Sequence, residues 1–395
     1  MRTGTTRALG AVTMVAALGL VTPAAVAGTT AAPAAARARQ AAPATLYVDD
    51  CASIEAVGCR HGHVTPFNTA TNHRGKKIPV GVEPTAMAIT PNGATVYVIN
   101  GGTDTVTPIN TATNTPGPAI AVGHAPDAIA ITPNGKTAYV VNLQSSTVTP
   151  INTATNTARR AITVGPFPRE IAITPNGKTA YVLNESDPGS VTPIHTATNT
   201  AGPDIAMRGS IADMAITPDS KTVYVANFHL GKVTPIDTAT NTAGSPITVG
   251  GHPNRVAITP DGTTVYVGTR TGSVVPVSTA TNTAGTRISV GRSVTMIAIT
   301  PNGKTAYVAT NGPGPREPIL KPITTATNAV GKTIVLESGE RLVAMAFTPS
   351  GKKLYVLGDT NAEGPGFVTA VNTATGTPGN QISVGPEPFA MAITP

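Results

Sequence analysis

A degenerate repeat runs through nearly the whole chain and constrains its fold more than any other feature. The run Ala-Ile-Thr-Pro-Asn-Gly-Lys-Thr-Ala-Tyr-Val occurs at 130–140, 172–182 and 298–308, and weaker copies begin at Ala88, Ala215, Ala257 and Ala346. Successive copies of its proline are 41 to 48 residues apart. This period is typical of a four-stranded β-propeller blade, which takes about 40–50 residues. Helix-period patterning is absent from the repeat, which excludes a helical solenoid.

Each repeat contains four short segments with strand patterning. In one copy, strand A is Ala128–Thr132, strand B is 137–141, strand C is 148–151 and strand D is 161–164. The Pro-Asn-Gly between strands A and B predicts a tight turn, because proline fixes φ and glycine accepts a positive φ. The composition agrees, since 40 Gly, 36 Pro and only 12% charged residues favour short strands and turns over long helices. The sequence therefore predicts an all-β propeller of four-stranded blades.

Proline recurs inside strand C, where a central strand needs its backbone donors. This strand contains Pro66, Pro108, Pro150, Pro193, Pro235, Pro276 and Pro322, and Ala370 replaces the proline once. We predict either a bulge at this position or a backbone nitrogen that faces no partner.

The tyrosines give the number of blades. All eight lie in strand B, at Tyr47, Tyr97, Tyr139, Tyr181, Tyr224, Tyr266, Tyr307 and Tyr355. No strand A precedes the first of them, and the last strand A, in 386–395, is followed by nothing. We therefore predict eight blades, with seven as the alternative, in one propeller domain over 45–395. Residues 45–81 and 386–395 would form one shared closing blade, which removes the open edges that invite aggregation.

The first residues have the pattern of an export signal rather than of a folded domain. Arg2 and Arg7 precede the apolar run 8–21, and Ala25-Val26-Ala27 supplies small residues for cleavage. We predict a signal peptide over 1–27 and a flexible Ala/Pro-rich lead-in over 28–44. The apolar run is too short to span a bilayer comfortably, so no membrane span is expected. The mature chain is expected to be secreted, extracellular and monomeric.

Two motifs in the repeat point to a known family. The Tyr-Val-x-Asn elements at 97–100, 139–142, 181–184 and 224–227, and the Ile-Asp-Thr-Ala-Thr-Asn type segment at 236–241, resemble the YVTN family of propeller repeats. The resemblance covers most of the chain after residue 44. The YVTN family is itself similar to secreted surface-layer propellers and, more distantly, to lactonase-type propellers. It implies a propeller fold, usually of seven blades, and leaves function open.

The two faces of the predicted ring differ in how strictly they repeat. The A–B and C–D turns are nearly the same in every unit, and we call their side the uniform face. The B–C and D–A loops vary, and we call their side the variable face. The longest B–C loops, over 49–63, 309–317 and 358–366, belong to neighbouring blades and should build up one sector of the variable face. Binding usually resides in such loops.

Charged residues in the D–A loops form the candidate ligand site, because these loops lead into the innermost strands around the channel mouth. A mixture of acids, arginines and histidines suits a polar or anionic small ligand, although any solvated mouth contains such residues. The candidates are Glu83, His124, Asp127, Arg169, Glu170, Arg208, Asp213, His252, Arg255, Arg292, Glu340, Arg341 and Glu387.

The sequence favours a non-catalytic protein over an enzyme. No G-x-S-x-G elbow occurs, and the histidines follow no repeated motif. Arg169 and Glu170 with His124 and His252 resemble the residue set of lactonase propellers, so a lactonase-like or lyase-like enzyme at the channel mouth is the alternative. No cofactor is predicted.

The two cysteines have two interpretations. Cys51 and Cys59, together with His61 and His63, could be the ligands of a zinc ion. The export signal favours a disulfide between them, because two cysteines in an oxidising compartment usually pair.

A ring of lysines occupies the A–B turns of the uniform face, at Lys136, Lys178, Lys221, Lys304 and Lys352. Such a ring could hold an anionic wall polymer or a nucleic acid, or it could simply be solvated turn residues. Aromatic residues are only 4% of the chain, which argues against nucleic acid because stacking platforms are missing. The sequence thus predicts an exported propeller that presents a binding or structural surface to an unknown protein, a cell-surface polymer or a small polar ligand.

Overall fold

The fold is entirely β-sheet wherever the structure, a computed structural model, describes the chain. It describes residues 44–51, 54–55, 58–59, 61–311, 318–336, 341–359 and 364–395. These residues form forty-one strands, β1 to β41, and no helix. The predicted signal peptide and nearly all of the lead-in lie outside the described residues.

Eight antiparallel sheets form the blades, numbered 1 to 8 from the closing blade. In that order, strand A is β41 (Met391–Ile393), β6 (Pro84–Ile89), β11 (Pro126–Ile131), β16 (Pro168–Ile173), β21 (Ile211–Ile216), β26 (Pro253–Ile258), β31 (Val294–Ile299) and β36 (Arg341–Phe347). Strand B is β1 (Thr45–Cys51), β7 (Thr95–Asn100), β12 (Thr137–Asn142), β17 (Thr179–Asn184), β22 (Thr222–Asn227), β27 (Thr264–Thr269), β32 (Thr305–Asn311) and β37 (Lys353–Asp359). Strand C is β4 (Gly62–Asn68), β8 (Thr105–Asn110), β13 (Thr147–Asn152), β18 (Ser190–His195), β23 (Lys232–Asp237), β28 (Ser273–Ser278), β33 (Pro318–Thr324) and β38 (Pro365–Asn372).

Strand D is the single segment β5 (Ile78–Pro79) in blade 1 and two short segments in each other blade. These pairs are β9 (Thr115–Pro116) and β10 (Ile120–Ala121), β14 (Thr157–Ala158) and β15 (Ile162–Thr163), β19 (Thr200–Ala201) and β20 (Ile205–Ala206), β24 (Thr242–Ala243) and β25 (Ile247–Thr248), β29 (Thr283–Ala284) and β30 (Ile288–Ser289), β34 (Ala329–Val330) and β35 (Ile334–Val335), and β39 (Thr377–Pro378) and β40 (Ile382–Pro386). A small hairpin, β2 (Ile54–Glu55) and β3 (Gly58–Cys59), completes the set.

The eight blades close into a ring, which confirms the predicted count. Each strand A contacts the strand A of both neighbouring blades, and β41 lies between β36 and β6. In the closing blade, β41 pairs antiparallel with β1, with Leu46 opposite Ile393 and Val48 opposite Met391. The core lies between adjacent blades, where side chains such as Ile99 of blade 2 and Val140 of blade 3 are fully buried in one cluster. Burial of these apolar layers drives the blades together.

The proline of strand C causes no register shift against strand B, and strand D is interrupted opposite it. Pro150 lies opposite Tyr139 in an unbroken register, and its carbonyl oxygen accepts a hydrogen bond from the N–H of Arg159 at 2.7 Å. Pairing with strand D stops after β14 and resumes at β15, and the same gap occurs in blade 8, where Ala370 replaces the proline. β15 lies within the strand D predicted over 161–164, and β14 is an additional segment that was not predicted. The register shifts occur in strand A, for example between Pro126 and Ala128.

Seven of the eight blades are joined to the next blade by a hydrogen bond from the strand B tyrosine, a contact that the sequence analysis did not predict. The tyrosine hydroxyl donates to the side-chain oxygen of the last Asn of the next blade's Thr-Ala-Thr-Asn turn, at 2.5 to 2.8 Å. The pairs are Tyr47–Asn114, Tyr97–Asn156, Tyr139–Asn199, Tyr181–Asn241, Tyr224–Asn282, Tyr266–Asn328 and Tyr355–Asn72. These asparagines have φ between 53° and 58°, a region that Asn tolerates better than most residues. The turn motif therefore serves both the turn and the blade junction.

The junction between blades 7 and 8 lacks this pin. Gly376, with φ of 67°, stands where the other blades have Asn. The hydroxyl of Tyr307 therefore donates only to the carbonyl oxygen of Thr373, at 3.1 Å. A cavity of about 440 Å³ opens here, and Tyr307 and Gly376 are among its lining residues.

We expect Gly376→Asn to stabilise the protein by about 1 kcal/mol, because it restores one hydrogen bond and reduces the entropy of the unfolded chain. A Cβ at this position would lie 3.5 Å from Cδ1 of Ile334, an ordinary contact. Chemical denaturation measures the change. Gly376→Ala, which brings no acceptor, is the control, and Asn282→Gly should lose a similar amount. Equal stability of Gly376→Asn and Gly376→Ala would contradict the pin.

The predicted disulfide is present. Cys51 and Cys59 are bonded, with Cα atoms 5.7 Å apart, and both residues are buried. The cysteines are therefore not available to the zinc set that was the alternative.

Candidate functional site

The uniform face is held together by the residues that repeat. In blade 3, the Thr153 hydroxyl donates to the carbonyl oxygen of Gly135 and so ties the C–D turn to the A–B turn. Asn134 accepts a hydrogen bond from the N–H of Lys136 at 3.0 Å, and Gly135 has a φ of 71°. The Thr hydroxyl makes the same bond in blades 2 to 8. The repeated residues of this face thus have structural roles.

The five lysines of the uniform face are all exposed. Lys221 lies 3.5 Å from a carboxylate oxygen of Asp219, within its own turn. The backbone of the lysine contributes to the turn more than its side chain does. In blade 4, for example, the N–H of Lys178 donates to Oδ1 of Asn176 at 2.9 Å.

The D–A loops of the variable face have an unusual and rigid backbone. Glu83, Ala125, Phe167, His252 and Glu387 all have φ between 49° and 56° and precede a proline. Non-glycine residues rarely adopt this region and persist in it only where the surroundings hold them. In four of these loops, the carbonyl oxygen of the residue accepts a hydrogen bond from the first residue of the B–C loop, at 2.8 to 3.0 Å. The variable face is therefore preorganised.

A bulge at the start of strand A brings two candidate residues together at the channel. Asp127 and Arg169 occupy the extra, unpaired position of the bulge in blades 3 and 4. Nη1 of Arg169 lies 3.6 Å from Oδ2 of Asp127, and its Nε lies 3.3 Å from Oε2 of Glu185. Bulges commonly redirect side chains in this way. The guanidinium thus bridges two carboxylates from two blades.

A second group of charges lies one position further along strand A in blades 4, 5 and 6. Glu170 and Asp213 share a hydrogen bond, and Arg255 lies near enough to favour their ionised forms. Asp213 also accepts hydrogen bonds from the N–H groups of Met214, at 2.9 Å, and Val256, at 2.7 Å. The same strand position is Ala86, Ala128, Met296 or Ala344 elsewhere, so this run of charge is specific to three consecutive blades.

Burial raises the pKa values of the two carboxyl groups in this second group. Burial, reinforced by the neighbouring Asp213, raises the pKa of Glu170 well above its ordinary value. Burial also raises the pKa of Asp213 to about 6, opposed by Arg255 and by two backbone N–H groups. Glu170 therefore holds its proton more strongly than a carboxyl group in water does, and it is the donor in the hydrogen bond that it shares with Asp213. Burial likewise raises the pKa of Glu185, opposed by Arg169.

Arg255 is bound to the backbone as well. Its Nε donates to the carbonyl oxygen of Thr295 at 2.6 Å, and its Nη1 donates to that of Asn254 at 2.5 Å. The first bond reaches blade 7. Glu170, Asp213 and Arg255 together thus link blades 4 to 7 at the channel.

The remaining candidates are dispersed over the variable face. His124 is exposed, with Nδ1 2.7 Å from Oδ2 of Asp104. Arg341 lies 3.5 Å from Asp359 within blade 8. Arg208, His252 and Arg292 are exposed, Glu83 and Glu387 are half-buried, and Glu340 lies outside the described residues. Asp127, Arg169, Glu170, Asp213, Arg255 and Arg341 lie in strand A itself rather than in the loops where they were expected.

Several charged residues were missed by the sequence analysis. Glu185 and Asp104 lie in B–C loops and pair with D–A residues, and neither belongs to a repeated motif. Asp49 is fully buried in strand B of the closing blade. Its strand position is Ile99, Val141, Leu183, Ala226, Gly268, Ala309 or Leu357 in the other blades, so alignment of the repeats could have shown its departure.

Asp49 holds the C-terminal strand in place. Its Oδ1 accepts hydrogen bonds from the N–H groups of Phe389 and Ala390, both at 2.8 Å, while Oδ2 is buried without a partner. Burial raises the pKa of Asp49 to about 8, with a contribution from the nearby Asp50. The carboxyl group is therefore mostly protonated at neutral pH.

Within the described ranges, no three His, Cys, Asp or Glu residues are grouped so as to hold a metal ion. In those ranges no helix has the length and apolar character needed to cross a membrane.

Two cavities lie away from the channel, on the outer parts of the blades. The larger is the one at the junction of blades 7 and 8. The other, of about 220 Å³, is lined by Asn72 of blade 1 and by Lys353 and Asn372 of blade 8.

Three solved structures share the fold at low sequence identity. Hydrazine synthase of Kuenenia stuttgartiensis is 23% identical, with a TM-score of 0.52, over 70% of this chain and 90% of that chain. The dihydro-heme d1 dehydrogenase NirN in complex with DHE is 13% identical, with a TM-score of 0.70, over 88% of this chain and 74% of that one. A functionally unknown protein of Desulfotomaculum acetoxidans DSM 771 is 16% identical, with a TM-score of 0.59, over 75% and 98% of the two chains. At these identities the likeness shows the fold alone.

Family comparison gives a consistent but partial result. The model of the YNCE-like β-propeller matches residues 78–179. No curated protein is significantly similar to the sequence. The chain is an eight-bladed β-propeller, part of which is similar to the YNCE-like β-propellers.

Proposed function

We propose that this protein is an exported, non-catalytic propeller of the YVTN type that binds a partner outside the cell through its variable face. The predicted signal peptide over 1–27 and the disulfide between Cys51 and Cys59 support an extracellular location. The partner is a protein, a cell-surface polymer or a small polar ligand.

The observation that carries this proposal is the contrast between the two faces. On the uniform face, the repeated Thr, Asn and Gly residues bond to each other, and each has a structural reason to be there. On the variable face, a preorganised backbone displays different side chains in every blade, such as exposed His124, Phe167 and Arg292. Rigid loops that display varied side chains lower the entropic cost of binding.

A second candidate function is favoured by one observation. Glu170 and Asp213 are a hydrogen-bonded pair of carboxyl groups, and burial raises the pKa of both, a shift that enzymes use to obtain general acids and bases. This pair supports the lactonase-like or lyase-like alternative, with Glu170 as the general acid. The hydrogen bonds that Asp213 receives from two backbone N–H groups support a structural role instead.

A panel of lactones and esters separates the two functions. For a binding protein we expect no turnover above that of buffer by the purified mature chain. An enzyme would show turnover that Glu170→Gln abolishes, while the matched variant Glu83→Gln, in the D–A loop of blade 2, keeps it. Such a loss would contradict the proposal of a non-catalytic propeller.

A further inference from the structure

The variable face is polarised in charge. Five loops of blades 5, 6 and 7, over 207–210, 228–231, 249–252, 270–272 and 290–293, contain no Asp or Glu, and we call them the basic sector. Their charged or titratable residues are Arg208, His229, His252, Arg270 and Arg292, and all five are exposed. The corresponding loops of blades 2 and 4 contain Glu83, Asp104, Glu185 and Asp187. One side of the face is therefore basic and the other is acidic.

An aromatic ring lies at the centre of the basic sector. The ring of Phe228 lies 5.2 Å, between centroids, from the rings of both His229 and His252. Cζ of Arg270 lies 5.6 Å from the centroid of the same ring. Nδ1 of His252 is also 3.2 Å from the carbonyl oxygen of Phe228. These contacts join the loops of blades 5 and 6 into one surface.

An exposed leucine continues this surface. Leu230 is 46% exposed, which is unusual for a large apolar side chain in this protein. Its Cγ lies 3.5 Å from where a Cβ on Gly209 would be, so it packs beside the loop that carries Arg208. On the other side, the backbone of Arg292 packs closely against Gly272. The basic sector is thus continuous from blade 5 to blade 7, with an apolar centre and a cationic rim.

We propose that the basic sector binds an acidic polypeptide segment that carries at least one apolar side chain. This inference rests on the proposed function and specifies its partner. Arginine forks bind carboxylates in bidentate geometry, and an apolar centre with a polar rim is the usual anatomy of a protein interface. Glu and Asp side chains of the segment would contact Arg208, Arg270 and Arg292, and its apolar side chain would cover Leu230.

Two features favour a polypeptide over a polyanion such as nucleic acid. The face of the Phe228 ring is already occupied by His252, which is tilted by 33°, and by Arg270, so a base has no free ring on which to stack. A phosphate backbone has no apolar group that would cover the exposed aliphatic side chain of Leu230. A polypeptide that carries an apolar side chain beside carboxylates can contact both the apolar centre and the cationic rim of the basic sector.

Fluorescence anisotropy with the mature full-length chain tests the proposal. The probes are a labelled alternating Glu–Leu peptide, a Glu–Ser peptide of equal charge, and oligo-dT. We expect the Glu–Leu peptide to bind more tightly than the Glu–Ser peptide and more weakly as salt rises. Charge reversal in Arg208→Glu or Arg270→Glu should weaken binding at least about 10-fold. Leu230→Ser should remove the advantage of Glu–Leu over Glu–Ser.

The matched control is Lys178→Glu, an equal change of charge on the uniform face, which should bind like the unaltered protein. Melting temperatures show whether each variant is folded. The salt dependence and the comparison of the two peptides are measured on the unaltered protein, so they do not depend on the folding of any variant. The proposal would be overturned if the Glu–Leu peptide did not bind, or if Lys178→Glu weakened its binding as much as Arg208→Glu does. It would also be overturned if oligo-dT bound more tightly than the Glu–Leu peptide and Leu230→Ser left the binding of oligo-dT unchanged. A partner found instead on blades 2 to 4 of the variable face would overturn this inference and leave the proposed function intact.

Discussion

We expect Asp49→Asn to be more stable than the unaltered protein at pH 9, by several kcal/mol, and similarly stable at pH 4. Asn keeps the oxygen that accepts from the N–H groups of Phe389 and Ala390, but it cannot ionise. The carboxyl group it replaces is fully buried, with one oxygen that has no partner. Ionising that group inside the closing blade costs free energy that the neutral amide does not incur.

The direction of the pH dependence follows from the pKa of Asp49. Its pKa is about 8 in the folded protein, against an ordinary value of 3.8. A raised pKa means that the folded state binds the proton more tightly, so the contribution to stability is fully present below pH 4. It is lost as pH rises towards 8 and stays lost above that. A tenfold change in proton affinity corresponds to about 1.4 kcal/mol, so the full effect is on the order of 5 kcal/mol.

Chemical denaturation at pH 4, 7 and 9 measures this effect, and Asp49→Leu is its control. Leucine matches the apolar residues at this position in most other blades, but it leaves the two N–H groups of the C-terminal segment without an acceptor. It should therefore destabilise the protein at every pH, by about 1–3 kcal/mol for each N–H. If Asp49→Asn is instead less stable than the unaltered protein at pH 9, the carboxylate is ionised and useful in the closing blade, and this account of closure is wrong.

The repeat allowed most of the fold to be predicted, because one sequence unit encodes one blade. Tyr47 without a strand A before it, and 386–395 without strands after it, were enough to predict the closure that β1 and β41 form. What could not be predicted lies between units. The Tyr97–Asn156 bond joins two repeats, and a unit considered alone shows only a turn. The interruption of strand D was not predicted either, and it occurs opposite Ala370 as well as opposite Pro150.

The candidate site was only partly predictable for a similar reason. Asp127, Arg169, Glu170, Asp213 and Arg255 were chosen because they precede or begin strand A, and the structure places them around the channel in two groups. The carboxylate partners of Arg169 come from another blade, as Asp127 does, and from another loop, as Glu185 does, and no periodic pattern marks them. Protonation states also depend on burial. The sequence alone therefore could not predict that burial raises the pKa values of Glu170 and Asp213.

The central claim is that the variable face binds and the uniform face is structural. We expect a photo-crosslinking amino acid to form adducts with a partner when it replaces exposed His124, His252 or Arg292 on the variable face. The same amino acid at Lys136, Lys178 or Lys304, exposed on the uniform face, should form few adducts or none. The protein would be added to washed producing cells and their medium, so that surface polymers and proteins are both present.

The ratio of adducts between the two faces is the most direct measurement of this claim. The account predicts adducts at one or more variable-face positions in clear excess over all three lysine positions. Adducts concentrated at Lys136, Lys178 and Lys304 would contradict it and would indicate adhesion through the lysine ring. Equal adducts from both faces would also contradict it, because the difference between repeated turns and varied loops would then have no functional meaning.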